Sequence, residues 1–197
     1  MGLAARTPNN HVLADESRAE IGDAVLQPAP YDDGRRQRDV IGELAGFAKL
    51  KRLGTNRVDA AVCMVRDGVA YEAQRLRDLG ALAGLGDGFL DEGAAVAKIG
   101  RTTGLTRGRV TMFEADNVVV EYDLGPLRFD DQIEIESTGD GPFSSGGDSG
   151  SLIVSAALRG VGLLFAGGDQ GGSNGLGLTY ANPLRTVLES LQIELLY

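Results

Sequence analysis

A chain of 197 residues, 43% apolar and 24% charged, has globular composition and is long enough for one large core or two small ones. Its net charge of −9 makes nucleic acid a poor partner, and no apolar run approaches the ~20 residues of a membrane-crossing helix, so no membrane partner is expected either. One cysteine, Cys63, and one histidine, His11, leave no internal disulfide and no zinc site, so no metal and no cofactor are expected.

The 29 glycines, about twice the usual share, suit an all-β chain with many tight turns. Residues 1–8 have neither the alternation nor the length of a strand. Residues 7–40 read as loop and short strands around His11, with one strand over 21–27 ended by Pro28 and Pro30. Residues 32–36 form a polar turn. Residues 40–50 are ambiguous, because Ile41, Leu44, Phe47 and Ala48 recur at helical spacing. Asp59 opens an apolar strand over 60–65. Residues 68–93, rich in Gly, Ala and Leu, read as a linker with a helical turn near 72–79. This divides the chain into 1–86 and 87–197.

The second half is more regular. Residues 94–99, 108–114, 117–122 and 127–136 read as strands, with Val110 and Met112 opposing Arg109 and Thr111, and Ile133 and Ile135 opposing Glu134 and Glu136. Residues 151–154, 160–166 and 177–181 add three more, about the number a six-stranded barrel requires. Asn182 and Pro183 cap a last helix, 183–195, with Leu184, Val187, Leu188, Leu191 and Leu195 on one face. The charge is uneven: residues 1–86 carry 12 acidic and 12 basic side chains, residues 87–197 carry 16 and 7. That surface suits a neutral or basic peptide, or is ordinary solubilising charge.

The stretch Gly146-Gly147-Asp148-Ser149-Gly150-Ser151 carries the chemistry. Glycines let the backbone turn tightly and bare its N–H groups, and the apolar strand that follows holds the hydroxyl in place, the setting a nucleophile needs. A serine needs a base, and His11 is the only histidine. No histidine follows Ser149, which removes the α/β-hydrolase order, and no carboxylate precedes His11, which removes the subtilisin order. Residue 151 is serine, so the G-x-S-x-G elbow is absent, and no lysine stands three residues after a serine. The order His, Asp, Ser remains. Asp59, at the mouth of an apolar strand, is the acid to expect, whereas Asp32, Asp33 and Asp39 lie in a polar stretch. His11 and Asp59 are 48 residues apart, against about 45 in the chymotrypsin-order template.

Asn9-Asn10-His11-Val12, Asp59-Ala60-Ala61 and Gly147-Asp148-Ser149-Gly150-Ser151 resemble the three catalytic blocks of trypsin-like, chymotrypsin-fold serine peptidases. Gly100-Arg101-Thr102-Thr103-Gly104-Leu105-Thr106 is similar to a bacterial subgroup that the plant narrow-leaf protein also resembles. The resemblance covers nearly all of the chain from Asn9 onward. It implies an all-β double antiparallel barrel with a C-terminal helix, and a strand over 40–50. The family's strands before the histidine block have no counterpart in the ten residues before His11, so the first barrel is expected to be incomplete.

The resemblance implies a serine endopeptidase with His11 as base, Asp59 orienting it and Ser149 as nucleophile. Backbone N–H groups of Gly147 and Ser149 would meet the oxyanion, and Asp148 would brace the loop. By position, Phe165, Ala166 and Gly167 would pair with the substrate backbone, and Phe143 would floor the specificity pocket, which selects a neutral, apolar side chain. Arg101, Thr102 and Thr103 read as hairpin-turn residues. The expected partner is a peptide or protein substrate; oligomeric state is open, and a cytoplasmic location is the expectation from the absent signal segment and single cysteine. A second reading also fits the short front: a peptide-binding module, or a fragment of a longer peptidase, that keeps barrel and cleft without an aligned triad.

Overall fold

The structure is a computed structural model, and it describes residues 5–72 and 74–197. In chain order the first part contains β1 (Ala5–Arg6), a single helical turn α1 (Asn10–Leu13), β2 (Ala24–Leu26), β3 (Val40–Phe47), β4 (Thr55–Asn56) and β5 (Ala61–Val65). β1, β5, β3 and β2 lie side by side, all antiparallel. Ala5 and Arg6 pair with Met64 and Cys63, a strand the front of the sequence does not announce; residues 1–4 lie outside the described residues.

β3 is a strand despite its helical spacing, because it has partners on both sides, β2 and β5. Gly42 lets the backbones close: a Cβ there would stand 2.2 Å from the Met64 carbonyl oxygen. Leu44 and Ala61 pack with Ala14 beneath this sheet, so the segment carrying His11 lies on a small apolar core.

Residues 75–81 form a hairpin, β6 (Arg75–Leu76) with β7 (Gly80–Ala81), where the sequence predicts a helical turn. Asp78 and Gly80 take left-handed φ values of 60° and 119°, which turn the chain back on itself. Residue 73 of that stretch lies outside the described residues.

The second part contains β8 (Ala95–Gly100), β9 (Gly104–Ala115), β10 (Val118–Tyr122), β11 (Gly125–Phe129), β12 (Gln132–Ser137), β13 (Leu152–Ser155), β14 (Gly160–Gly168), β15 (Leu178–Pro183) and α2 (Leu184–Leu191). The order β12-β15-β14-β13-β8-β9 closes into a barrel filled by Val96, Val110, Ile133, Ile135, Ile153 and Leu164, among others. Closure leaves that sheet without an open edge.

The stretch 127–136 is two strands, not one. Asp131, at φ 62°, breaks it, so that β11 pairs with β10 and runs parallel to β4 while β12 stays in the barrel. Val110 and Met112 also part company: Val110 is buried and Met112 is half exposed. The register against β12 shifts between Val110 and Met112, and a β-bulge of this kind flips the side chains beyond it.

In α2, Leu184, Val187 and Leu188 are buried, and Val187 packs with Val58, Ala60 and Leu163 across the seam between the two parts. Gln192 ends it in the left-handed conformation, short of residue 195. The architecture is mostly β: a closed barrel, a partial second sheet and a C-terminal helix. Among the described residues no helix is long and apolar enough to cross a membrane.

Candidate active site

Asp59 stands just before β5, fully buried. Its backbone N–H donates to Asn182 Oδ1 at 2.9 Å, and its carbonyl accepts from Asn9 Nδ2 at 2.7 Å. Asn182 is held in turn by Gln132 Oε1 at 2.7 Å, and Gln132 donates to the Arg57 carbonyl at 2.9 Å. These polar groups are buried at the seam, where partners must come from the protein itself.

His11 sits in α1, fixed by asparagines on its N-terminal side. Besides Asn9, Asn10 Nδ2 donates to the Ala48 carbonyl at 2.7 Å and to Ser17 Oγ at 2.9 Å. His11 meets Asp59 at two points, its backbone N–H on Oδ1 at 3.1 Å and ring Nδ1 on Oδ2 at 2.5 Å. An ionised carboxylate only accepts, so Nδ1 carries a proton and Nε2 is left as the acceptor of the neutral ring. The imidazole is one-quarter exposed.

Ser149 is half-buried in the turn before β13. Its loop abuts the His11 segment: a Cβ on Gly150 would lie 3.2 Å from Pro8 Cα and 3.7 Å from the Asn9 nitrogen. Ser149 Oγ makes no hydrogen bond to His11 among the described residues.

The loop's amides fall into two groups. Those of Ser145, Asp148, Gly150 and Ser151 have protein acceptors; those of Gly146, Gly147 and Ser149 have none among the described residues. Gly147 has φ +96°, and a Cβ there would stand 2.6 Å from Thr102 Oγ1 and 2.8 Å from Arg101 Nη1. Only glycine fits that turn.

Asp148 braces the loop more elaborately than the sequence suggests. Its buried carboxylate accepts from Thr102 N at 2.7 Å, Thr103 N at 3.2 Å, Thr103 Oγ1 at 2.7 Å, Ser145 N at 3.1 Å and Lys98 Nζ at 3.1 Å. Lys98 is also fully buried, and it contacts Thr103 Oγ1 as well. Burial pushes the Asp148 pKa up, but the Thr103 hydroxyl, Thr102 N–H, Lys98 and Ser145 outweigh it and hold the group below the usual carboxylate range. Burial lowers the Lys98 ammonium against the pull of Asp148. The carboxylate governs the pair, because five donors converge on it.

Thr102 and Thr103 are thus the turn residues between β8 and β9 and also the loop's anchors; Thr102 Oγ1 donates to the Gly146 carbonyl at 2.8 Å. Arg101 pairs with Asp32, Nε to Oδ2 at 2.9 Å, and lies 5.7 Å from the Tyr31 ring centroid.

Beside Ser149 opens a cavity of about 240 Å³, lined by Phe165, Ala166 and Gly167, together with Ser144, Ser145 and Val120. Ser144 Oγ is tied to Thr179 Oγ1 at 2.7 Å. Phe143 is elsewhere: its side chain is 2% exposed in the barrel core, 5.8 Å from Lys98 Nζ, and it does not line this cavity. Counting back from Ser149 finds the residue, but β9 leaves room for the ring inward, against Gly108. Of the sequence-predicted residues, Asp59 holds His11, the Ser149 loop abuts the His11 segment, and Ser149, Phe165, Ala166 and Gly167 line the cavity, whereas Phe143 does not line it.

Two residues escape sequence reading. Lys98 stands in an alternating strand where a lysine ordinarily faces solvent. Tyr122, at the end of β10, donates its hydroxyl to Asp59 Oδ2 at 2.7 Å. Burial first, then the charge and hydrogen bond of Asp59, push this phenol well above its ordinary pKa, so it stays protonated. Among the described residues no group of three or more His, Cys, Asp or Glu side chains could hold a metal ion.

Neither a family model nor a curated protein sequence matches the chain. Solved structures do. The chymotrypsin of Cellulomonas bogoriensis is 26% identical over 79% of this chain and 75% of its own, with a TM-score of 0.55. A glutamic acid specific serine protease, described as using a histidine triad in substrate binding, is 21% identical with a TM-score of 0.65, over 99% of this chain and 88% of its own. Protease A of Thermobifida fusca is 16% identical with a TM-score of 0.62, over 100% of this chain and 90% of its own. The chain has the chymotrypsin fold, which it shares with these serine proteases at low sequence identity.

Proposed function

We propose that this chain is a serine endopeptidase in which His11, Asp59 and Ser149 form the triad. The observation that carries the reading is the two-point hold of buried Asp59 on His11, in a segment that abuts the Ser149 loop. With Nδ1 committed to Asp59, Nε2 takes the proton from Ser149 Oγ as the oxygen attacks a peptide carbonyl carbon. The free amides of Gly147 and Ser149 stabilise the negative oxygen of the tetrahedral intermediate. Collapse breaks the C–N bond, and the proton on Nε2 leaves with the amine. Water, deprotonated by the same nitrogen, then attacks the acyl carbon of the Ser149 ester, and the proton passes to Ser149 Oγ as that bond breaks and the acid leaves.

The cavity beside Ser149 takes the side chain on the acyl side of the cut bond. Asp169, the one charged lining group among the described residues, is exposed, so a neutral side chain suits it. The histidine triad of the glutamate-specific neighbour has no counterpart in a chain with one histidine, which speaks against the same specificity here.

Labelling with a fluorophosphonate, read by intact mass, tests the proposal. Stoichiometric labelling of the wild type, lost in both Ser149→Ala and His11→Ala, is the expected result; an unlabelled but folded wild type would sink it. The missing hydrogen bond between Ser149 and His11 favours a second reading, a peptide-binding module with an unaligned triad, and that second outcome would support it. Such bonds are often long without substrate and tighten in the complex.

A further inference from the structure

We infer that Tyr122 is a positioning residue of this site: its hydroxyl shares Asp59 Oδ2 with His11 Nδ1 and so sets how strongly the carboxylate holds the imidazole. The inference rests on the peptidase reading for its consequence in catalysis, but not for its geometry. Asp59 accepts three donors: the His11 amide on Oδ1, and the His11 ring and Tyr122 hydroxyl together on Oδ2. An oxygen that receives two donors spreads its charge between them, and each bond is weaker than it would be alone.

Tyr122 is placed from several directions. Its ring lies edge-on to the His11 ring, with centroids 5.9 Å apart, and stacks on Phe129 at 6.0 Å. Phe129 in turn packs on Phe165 at 4.8 Å, which links Tyr122 to the cavity wall. The tip of the β10–β11 hairpin is clamped as well. Glu16, nearly buried, accepts the backbone N–H groups of Asp123 and Leu124 at 2.9 Å each. To aim that carboxylate, Asp15, Glu16 and Ser17 take consecutive left-handed φ values of 45°, 54° and 71°. Non-glycine residues adopt that geometry only where their surroundings over-determine it. The segment that carries His11 therefore also grips the hairpin that carries Tyr122, and Asp59 and Glu16 are the charged groups that bear on the phenol.

Tyr122→Phe keeps the ring and removes only the donor. Because His11 is the sole histidine, its Nδ1 proton can be followed by NMR without ambiguity. The expected result is a downfield move of that resonance, as Oδ2 is left to His11 alone. The acid limb of the pH profile for kcat/KM should move to higher pH by about 0.5–1 unit, because the fuller carboxylate charge favours the protonated ring. Glu16→Gln, which loosens the hairpin tip without touching Asp59, should move the resonance the same way by less. A resonance that stays in place in Tyr122→Phe overturns the inference, since losing a donor shared on Oδ2 must change the bond left there. The NMR signal needs no turnover, so a shifted resonance in a chain that fluorophosphonate does not label would support the Tyr122 link and discard the peptidase reading instead.

Discussion

Gly147 is a position where one added carbon has two separate costs. Its φ of +96° disfavours any side chain, and a Cβ would run into Thr102 and Arg101. Gly147→Ala should lose about 1–3 kcal/mol of stability in a denaturant melt together with its fluorophosphonate labelling; unchanged melting with full labelling would contradict this account. Asp59→Asn tests the acid: labelling should slow by about 10⁴-fold while the circular dichroism spectrum holds, because the amide can favour the wrong ring tautomer. Lys98→Met would strip the buried Asp148 of its cation and should cost about 3–5 kcal/mol, with a loss below about 1 kcal/mol arguing that the pair is not desolvated. How legible these residues are depends on how locally they are specified. His11, Asp59 and Ser149 could be singled out as candidates because a chain with one histidine leaves few orders to consider. Lys98 and Tyr122 could not, because their shared importance lies in carboxylates 50 and 63 residues away, and no local pattern distinguishes them from strand residues facing water.

Strands and loops show the same division. The barrel strands were legible from alternation and turn residues, but the break at Asp130 and Asp131 was passed over because Leu127 and Phe129 before it and Ile133 and Ile135 after it each alternate as strands do. The bulge that turns Met112 outward was hidden too, since a bulge depends on the partner strand's register and leaves no mark in one strand's own sequence. The helical spacing in β3 was overruled by pairing on both sides. One loop carries a pH dependence. Glu136 accepts Ser173 N at 2.7 Å and Ser173 Oγ at 2.8 Å and pairs with Arg109, while Asn174 Nδ2 donates to the Ser137 carbonyl at 2.7 Å. The Ser173 amide first, then Arg109 and the Ser173 hydroxyl, hold Glu136 below the ordinary glutamate range. A carboxyl with a depressed folded pKa contributes fully above its unfolded value of about 4.3 and stops contributing as pH falls through the folded one. The protection of the Ser173 amide against exchange, measured by NMR relative to its intrinsic rate, should therefore hold down to about pH 4.3 and be lost at lower pH, as the folded Glu136 takes up its proton. Glu136→Gln should show the quick exchange at neutral pH; slow exchange in that variant would refute the clamp.

Over the whole molecule the net charge of −9 gives a long-range field concentrated in the half that holds Ser149. If peptides are its substrates, kcat/KM for a basic peptide should fall severalfold as ionic strength rises from about 10 to 150 mM, since the Debye length shrinks from about 30 to 8 Å. A neutral peptide of the same length should change little, and equal salt dependence for both would rule out steering. At this scale the barrel and the last helix were legible from strand count and one amphipathic segment, and the partial sheet only as what the family resemblance implies. The seam was not, because it is built from asparagines and a glutamine whose partners are distant. That seam has a consequence for the order of events at the ribosome. Asp59 is seated by Asn9, Tyr122 and Asn182, and the last of these is translated after Ser149. A nascent chain that has not yet released Asn182 carries Ser149 and His11 but lacks one of the supports of its acid, so the proposed peptidase would be held back while its own unfolded chain is most open to cutting.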